Sequence, residues 1–323
     1  TFADYVAGTC IVGKKEIERV PYAVDLLGDQ HPHALPGGPA RAILGPRATP
    51  EAIAAFNHEN GFDLPLIQQY VRWLGNTLHG NLGFSYKRNQ SVVSLLATAV
   101  PRTLLLVGLG TLIAVLLAIP IGLAQAVRRN QPIDHVLTAV TFTLYSMPAF
   151  WLGLLLVDIF AVKLGWLPPE APSGGPLEML SHPAGLVLPL LTLSLVTIAS
   201  FSRYVRASAV EQLEQDYVRT ARAKGLTSDE LVRKHVVRNA LSPVISLLGL
   251  SLPWILGGSL VVEAVFNFPG TGFLFWNAAQ GADYPVMLGV VLVVTVGTVI
   301  GSLLADLGYA ALDPRVRDQV SAS

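Results

Sequence analysis

The sequence predicts an all-α integral membrane protein, and three observations lead there. Of 323 residues, 52% are hydrophobic and 14% charged, with a mean hydropathy of +0.51; soluble domains carry about 25% charged residues. Five apolar segments are each long enough to cross ~30 Å of hydrocarbon, which takes ~20 helical residues. Lys and Arg gather in alternate connections between those segments. Helices are required because strands of this length leave backbone groups unpaired in lipid.

The first span is Thr103–Val127, which has no ionisable residue. The second is roughly Val136–Val162, interrupted only by Asp158. Pro183–Ser202, Ala240–Val262 and Tyr284–Ala305 follow. Arg128 and Arg129 follow the first span. Arg203, Arg206, Arg219, Arg222, Lys224, Arg233, Lys234 and Arg238 lie between the third and fourth, and Arg315 and Arg317 follow the fifth. The opposite loops, 163–182 and 263–283, hold only Lys163. The positive-inside rule therefore places the 203–239 loop and the C-terminus in the cytoplasm, and residues 1–100 outside.

An external region of that length needs a signal peptide or a preceding span. Residues 1–35 supply neither, because Lys14, Lys15, Glu16, Glu18, Arg19 and Asp25 break every apolar run. The reading is a span missing upstream, a displaced start of numbering, or an unusual segment. Residues 1–35 are thus a divergent or truncated N-terminal piece, and 36–100 an extracytoplasmic helical segment. Residues 101–311 form the transmembrane domain, with a cytoplasmic loop at 203–242 and an external loop at 263–284. Residues 312–323 are a cytoplasmic tail.

Within 36–86, Thr49-Pro50-Glu51 is a helix start, with Thr49 as N-cap and Pro50 at the first helical position. Asn60-Gly61 stops that helix. Pro65 opens another, with Leu66, Tyr70, Trp73, Leu74 and Leu78 at helical spacing. Its expected role is packing of a small cap onto the span ends, with Tyr70 and Trp73 at headgroup level.

Several chemistries are excluded. The net charge is +0, with 22 basic and 22 acidic residues, which gives no sign of a nucleic-acid partner. The single Cys10 rules out an internal disulfide framework. His31 and His33 flank Pro32 in a Pro/Gly-rich stretch, and no Cys/His cluster suits zinc. Gly8 to Lys15 nearly spells a phosphate loop, but Lys15 stands where the magnesium-binding hydroxyl belongs. The chain is therefore expected to be no enzyme and to hold no cofactor or metal.

The stretch Glu211–Pro243 is the most informative. A charged connection of ~30 residues filled with helix signals is more than a linker. Asp216 to Lys224 reads as a helix whose small Ala221 and Ala223 let another protein approach closely. Gly225 stops it, since glycine takes positive φ most easily. Thr227 or Ser228 caps a second helix, with Asp229 and Glu230 in its first turn, which runs through Lys234 to about Ala240. Pro243 leads into the next span. The result is a stiff helix–glycine–helix knob.

DYVRTARAKGLTSDELVRKHVVRNALSPVI resembles the coupling loop of ATP-binding-cassette (ABC) importer permeases, and more closely the dipeptide/oligopeptide family in its first-subunit branch. Gly225 matches that family's loop glycine and Pro243 its proline, while Arg219-Thr220-Ala221 stands at the Glu-Ala-Ala position. Residues 36–86, 261–287 and YAALDPRVR at 309–317 are similar to further family segments, so the likeness spans about 36–317. It fails at 1–35, where the family has an apolar first span. The resemblance implies a type I ABC importer transmembrane fold in a bacterial inner membrane. It also implies a heterodimer with a second homologous permease subunit, two cytoplasmic ABC ATPases carrying ATP and Mg, and an extracytoplasmic substrate-binding protein. Asp216, Arg219, Thr220, Ala221, Arg222, Lys224, Gly225 and Pro243 would then form the ATPase-coupling element.

Pathway candidates come from polar residues and helix interrupters within spans: Ser146, Pro148, Thr192, Ser194, Thr197 and Pro253, with Glu263 at the outer mouth to meet cargo or the delivering protein. Pro120, Pro148, Pro189 and Pro253 are bending points or static kinks. Two other functions compete. A two-aspartate intramembrane protease would use Asp158 and Asp306, but these lie at opposite ends of the membrane, too far apart to share a proton. An ion-coupled secondary transporter leaves the knob unexplained, and no internal repeat is visible. Peptides are the leading cargo, with nickel, haem or opines as alternatives for the same architecture.

Overall fold

A computed structural model describes residues 38–45, 47–241 and 259–312. Pro243 and Pro253 lie outside the described residues, as do residues 1–35 and most of the expected fourth span.

The external segment folds as three short helices, α1 (Gly38–Leu44), α2 (Pro50–Asn60) and α3 (Leu66–Leu78). The Thr49 hydroxyl accepts the Ala52 amide at 3.3 Å, and Gly61 ends α2 with φ +71°. This is the cap pair expected from the sequence, and both halves are local. The packing expectation for α3 fails. Leu66, Ile67, Tyr70, Val71 and Leu78 are all well exposed, and no residue of α3 is buried. Instead α3 borders a cavity of about 950 Å³ shared with Tyr284, Pro285 and Leu288.

A two-stranded antiparallel ribbon, β1 (Phe84–Ser85) with β2 (Gln90–Ser91), leads into α4 (Val92–Val127). The first span therefore begins 11 residues before the expected Thr103 and has 36 residues, a length of ~54 Å at 1.5 Å per residue. It passes Pro101 and Pro120 without a break. A short turn reaches α5 (Pro132–Ser146), and Met147-Pro148 separates it from α6 (Ala149–Leu156), which continues as a π-helical turn, Val157–Lys163. The two halves meet at 105°. The single second span expected from hydropathy is thus a broken one, because Pro148 cannot donate to the preceding turn. Asp158 in that turn pairs with Lys163 at 2.6 Å, so its charge is answered locally.

After α7 (Pro176–Ser181) comes α8 (Ala184–Leu213), which runs through Pro189 and beyond the expected Ser202. Helices α4 and α8 form the central pair of the bundle. They approach so closely at Gly122 that a Cβ there would lie 2.6 Å from the Ser202 carbonyl and 2.6 Å from Val205. Small residues at such crossings are how membrane helices gain contact, since lipid is as apolar as they are. The charged loop folds as α9 (Asp216–Ala223), α10 (Ser228–Leu231), a π-helical turn Val232–Val236 and α11 (Val237–Ala240). Residues 259–265 are helical, α12 is Thr271–Gln280 and α13 is Tyr284–Leu312.

Among the described residues, three helices are long and apolar enough to cross a membrane: α4, α8 and Tyr284–Leu303 of α13. Counted as one span, the bent pair α5/α6 makes a fourth. The cores are distributed along the bundle. At one end, Val92, Leu95, Leu96 and Ala99 of α4 meet Leu274, Ala278, Val286 and Val290. At the other, Ala126 and Ala209 meet Val218, Ala221, Leu231, Val236 and Ala240. That second end also carries Arg128, Arg129 and the charged loop, and is called the basic end below.

Candidate functional site

The charged loop is a knob set on its own small core. In α9, Val218 and Ala221 are spaced three apart and so share a face; both are buried against Ala126 of α4, Ala209 of α8, and Leu231, Val236 and Ala240. Ala221 therefore faces inward. It is not an opening for a partner, which corrects that part of the sequence reading, whereas Ala223 is exposed. Asp216, Arg219, Thr220, Arg222, Lys224 and Gly225 all lie on the exposed side. The loop thus presents a cationic surface: Arg222 and Lys224 stand outward, and Arg219 leans on Asp216 at 3.2 Å.

The stop at Gly225 has a specific geometry. Its φ is +86°, its N–H donates to the Arg222 carbonyl at 2.9 Å, and the Leu226 N–H donates to the Ala221 carbonyl at 3.3 Å. These two bonds make a Schellman motif, with Leu226 folding onto the cluster that holds Ala221. A Cβ at Gly225 would meet no atom within 4 Å, so the backbone angle alone demands glycine.

Thr227 opens the second helix. Its hydroxyl accepts the Glu230 amide at 3.4 Å while the Glu230 carboxylate accepts the Thr227 N–H at 3.3 Å, a reciprocal capping box. The sequence left Thr227 and Ser228 open as caps; the hydrogen bonds select Thr227. The backbone N–H and then the hydroxyl of Thr227 hold the Glu230 carboxyl below its ordinary value, with Lys234 adding a smaller attraction. Tyr217 fastens the three parts together: its hydroxyl donates to Gln212 of α8 at 2.9 Å and accepts from Asn239 of α11 at 3.2 Å.

The pathway candidates do not come together. Thr192 is fully buried and its hydroxyl turns back to the Leu188 carbonyl at 2.9 Å. Ser194 is buried against α4, donating to the Gly110 carbonyl at 3.1 Å, and Thr197 is buried on Leu193. These three pack the subunit interior rather than line an open channel. Ser146 and Pro148 are exposed beside the 105° break, with the Ser146 hydroxyl on the Phe142 carbonyl at 2.9 Å.

Glu263 is also misread as a contact at the mouth. It has no exposed surface. Its carboxylate accepts from the Thr103 hydroxyl (2.7 Å), the Ser259 hydroxyl (3.2 Å), and the amides of Gly272 (2.7 Å) and Phe273 (3.1 Å). A carboxylate on the first amides of a helix satisfies orphan donors and the helix dipole together. Glu263 is therefore the buried cap of α12, and one of its two hydroxyl partners, Thr103, lies 160 positions earlier in the chain. No local pattern announces that pairing. Sequence reasoning also missed the acid partners at the basic end, Asp134 on Arg206 at 2.9 Å and Glu214 on Arg129 at 2.9 Å.

The bundle is that of the membrane domain of ABC importers. A methionine ABC transporter, MetNI, in an inward-facing conformation aligns with 68% of this chain and 96% of its own at a TM-score of 0.57 and 19% identity. An amino acid ABC transporter aligns with 68% and 94% at 0.54 and 18% identity. Sequence likeness takes the assignment further. Residues 118–318 match the family described as the binding-protein-dependent transport system inner membrane component, and the chain belongs to that family. It is 38% identical over 291 residues to the oligopeptide transport system permease protein AppB of Bacillus subtilis, covering 88% of this chain and 90% of that one. It is 38% identical over 285 residues to the glutathione transport system permease protein GsiC of Escherichia coli K12, with the same coverage. The chain is a transporter subunit of an inner membrane, which supersedes the protease and secondary-transporter readings.

Proposed function

We propose that this chain forms half of the translocation pathway of an ATP-driven peptide importer and is worked from the basic end by ABC ATPases. The knob carries the proposal. It has a buried apolar underside that fixes it to α4 and α8, an exposed cationic side, and a turn at Gly225 held by two backbone bonds. A segment stiffened on one face and exposed on the other suits docking of a moving partner. Arg219, Arg222 and Lys224 meet acidic or carbonyl groups in a groove of an ATPase subunit, and ATP and Mg are held by that partner. A second permease subunit completes the pathway, an external binding protein delivers cargo, and the basic end with the C-terminus faces the cytoplasm. Peptides are the cargo, in keeping with relatives named for oligopeptide and glutathione transport.

Arg222→Glu tests the docking. Its side chain is exposed, so insertion and folding should be unchanged. Copurified ATPase should fall by about tenfold, which corresponds to ~1.4 kcal/mol of lost interaction. Uptake of labelled peptides by cells whose only copy is this variant should fall with it. Undiminished ATPase capture would remove the docking role from this face.

A further inference from the structure

Behind the knob lies a partly buried polar chain that the docking surface does not include. Asp134, in the first turn of α5, is 2% exposed, yet it accepts two hydrogen bonds from Arg206 of α8: Nε to Oδ1 at 3.0 Å and Nη2 to Oδ2 at 2.9 Å. Its Oδ2 also accepts the Asn130 amide at 3.0 Å, and its Oδ1 the Thr138 hydroxyl at 3.2 Å. Thr138 in turn accepts from Gln125 Nε2 of α4 at 3.2 Å. One chain of polar contacts therefore joins α4, α5 and α8 at the basic end.

Its position relative to the knob matters. Arg206 is one turn from Ala209, and Gln125 is next to Ala126; Ala209 and Ala126 are the buried bundle residues of the cluster that holds Val218 and Ala221, with Leu123, Val210 and Leu213 packed beside them. The apolar cluster beneath the knob draws on α4, α8, α9 and residues 226–240, but among the described residues on nothing from α5. Yet α5 is the first half of the broken span. Apolar contact alone lets helices slide past one another. A bidentate guanidinium–carboxylate pair has a fixed direction and length, so it sets register as well as proximity. The pair is buried on the Asp134 side, and the best-attested use of such pairs is to set register rather than to add stability.

We propose that the Asp134–Arg206 clamp is the link that makes α5 follow the knob, so that displacement of the coupling element reaches the bend at Pro148. Asp134 and Arg206 are positioning residues in this role, and they touch neither cargo nor ATPase. The proposal rests on the knob being the ATPase-docking element.

The test uses the assembled complex in nanodiscs, with Cys10 replaced by Ser and spin labels at Arg233→Cys on the second helical part of the knob and Val136→Cys on α5, both exposed positions outside the proposed docking residues. With the clamp intact, the label-to-label distance is the same without nucleotide and with ATP plus vanadate, because the two elements move together. In Asp134→Asn and Arg206→Met the nucleotide shifts that distance by about 2 Å, the size of a typical helix displacement. ATPase copurification and hydrolysis stay within about twofold of the parent, since the docking face is untouched. The exchanged pair Asp134→Arg/Arg206→Asp restores the constant distance, which separates lost coupling from general damage. A distance in the single variants that is broadened but does not respond to nucleotide, or is unchanged, overturns the clamp. Failure of the unmutated complex to retain any ATPase overturns the docking reading itself, and the clamp's role in transport with it.

Discussion

The two ends of the bundle each carry a short helix, and they hold it in opposite ways. At one end, α12 begins on a buried carboxylate: Glu263 takes its first amides and a hydroxyl from α4 with no exposed surface. At the basic end, α9 is anchored by an apolar underside while all of its charge stands in the open. Its stop at Gly225 borders empty space, and its neighbour's cap, Thr227 with Glu230, is fully at the surface. A helix fixed by a buried polar network has one position. A helix fixed on one face has a defined base and a free side, which suits an element that another protein must grip. A fixed seat and a one-sided seat thus call for different chemistry, and the chain uses each at one end.

The comparison makes its strongest prediction at Glu263. Glu263→Ala strands the buried Gly272 and Phe273 amides and the Thr103 hydroxyl, at a cost on the order of 3 kcal/mol. Thermal unfolding in detergent should show a markedly lower midpoint, and an unchanged midpoint would mean the network contributes nothing. At Gly225 the expected effect is smaller and local. Only backbone strain opposes a side chain there, about 1–2 kcal/mol, so Gly225→Ala and Gly225→Leu should cost nearly the same. Hydrogen exchange should quicken at residues 216–227 and nowhere else. A much larger penalty for leucine would show that the space above the turn is filled, contrary to the exposed face described here. The mildest effect concerns pH. The Glu230 carboxyl is held below its ordinary 4.5 by Thr227. A lowered folded-state value means the cap is fully formed above the unfolded value and fades as pH drops through the folded one. Exchange protection in the first turn of α10 should therefore be flat at neutral pH and decline below about 4.5, and Glu230→Gln should abolish that dependence.

What the sequence showed and what it hid divide by range. Thr49, Gly61, Gly225 and the Thr227–Glu230 cap all act within five residues, and each was visible as a pattern of residue types. The inward turn of Ala221 was readable in principle, since Val218, Ala221 and Leu226 trace one face, but small size alone suggested the opposite. Glu263 was misassigned because its partners sit on α12 and, far upstream, at Thr103. The same holds for Thr192, Ser194 and Thr197: a hydroxyl in an apolar run looks like a channel lining until the backbone carbonyl it satisfies is known. The break at Met147-Pro148 was signalled by the proline, but no local rule supplies a 105° turn. The exposed apolar stripe of α3 shows the reverse failure, where helical periodicity was correct but the stripe borders a cavity shared with the start of α13 rather than packing onto it.

Helix α4 deserves a last consideration as an axle. It is unbroken over 36 residues, with Val92 to Ala99 packed against α12 and α13 at one extremity, Thr103 bonded to Glu263 further along, and Ala126 under the knob at the other. With a length of ~54 Å, a rocking of about 10° would carry one extremity some 9 Å relative to the other. The cluster beneath Val218 and the partner of Glu263 are thus parts of one unbroken helix, without any relay of loops between.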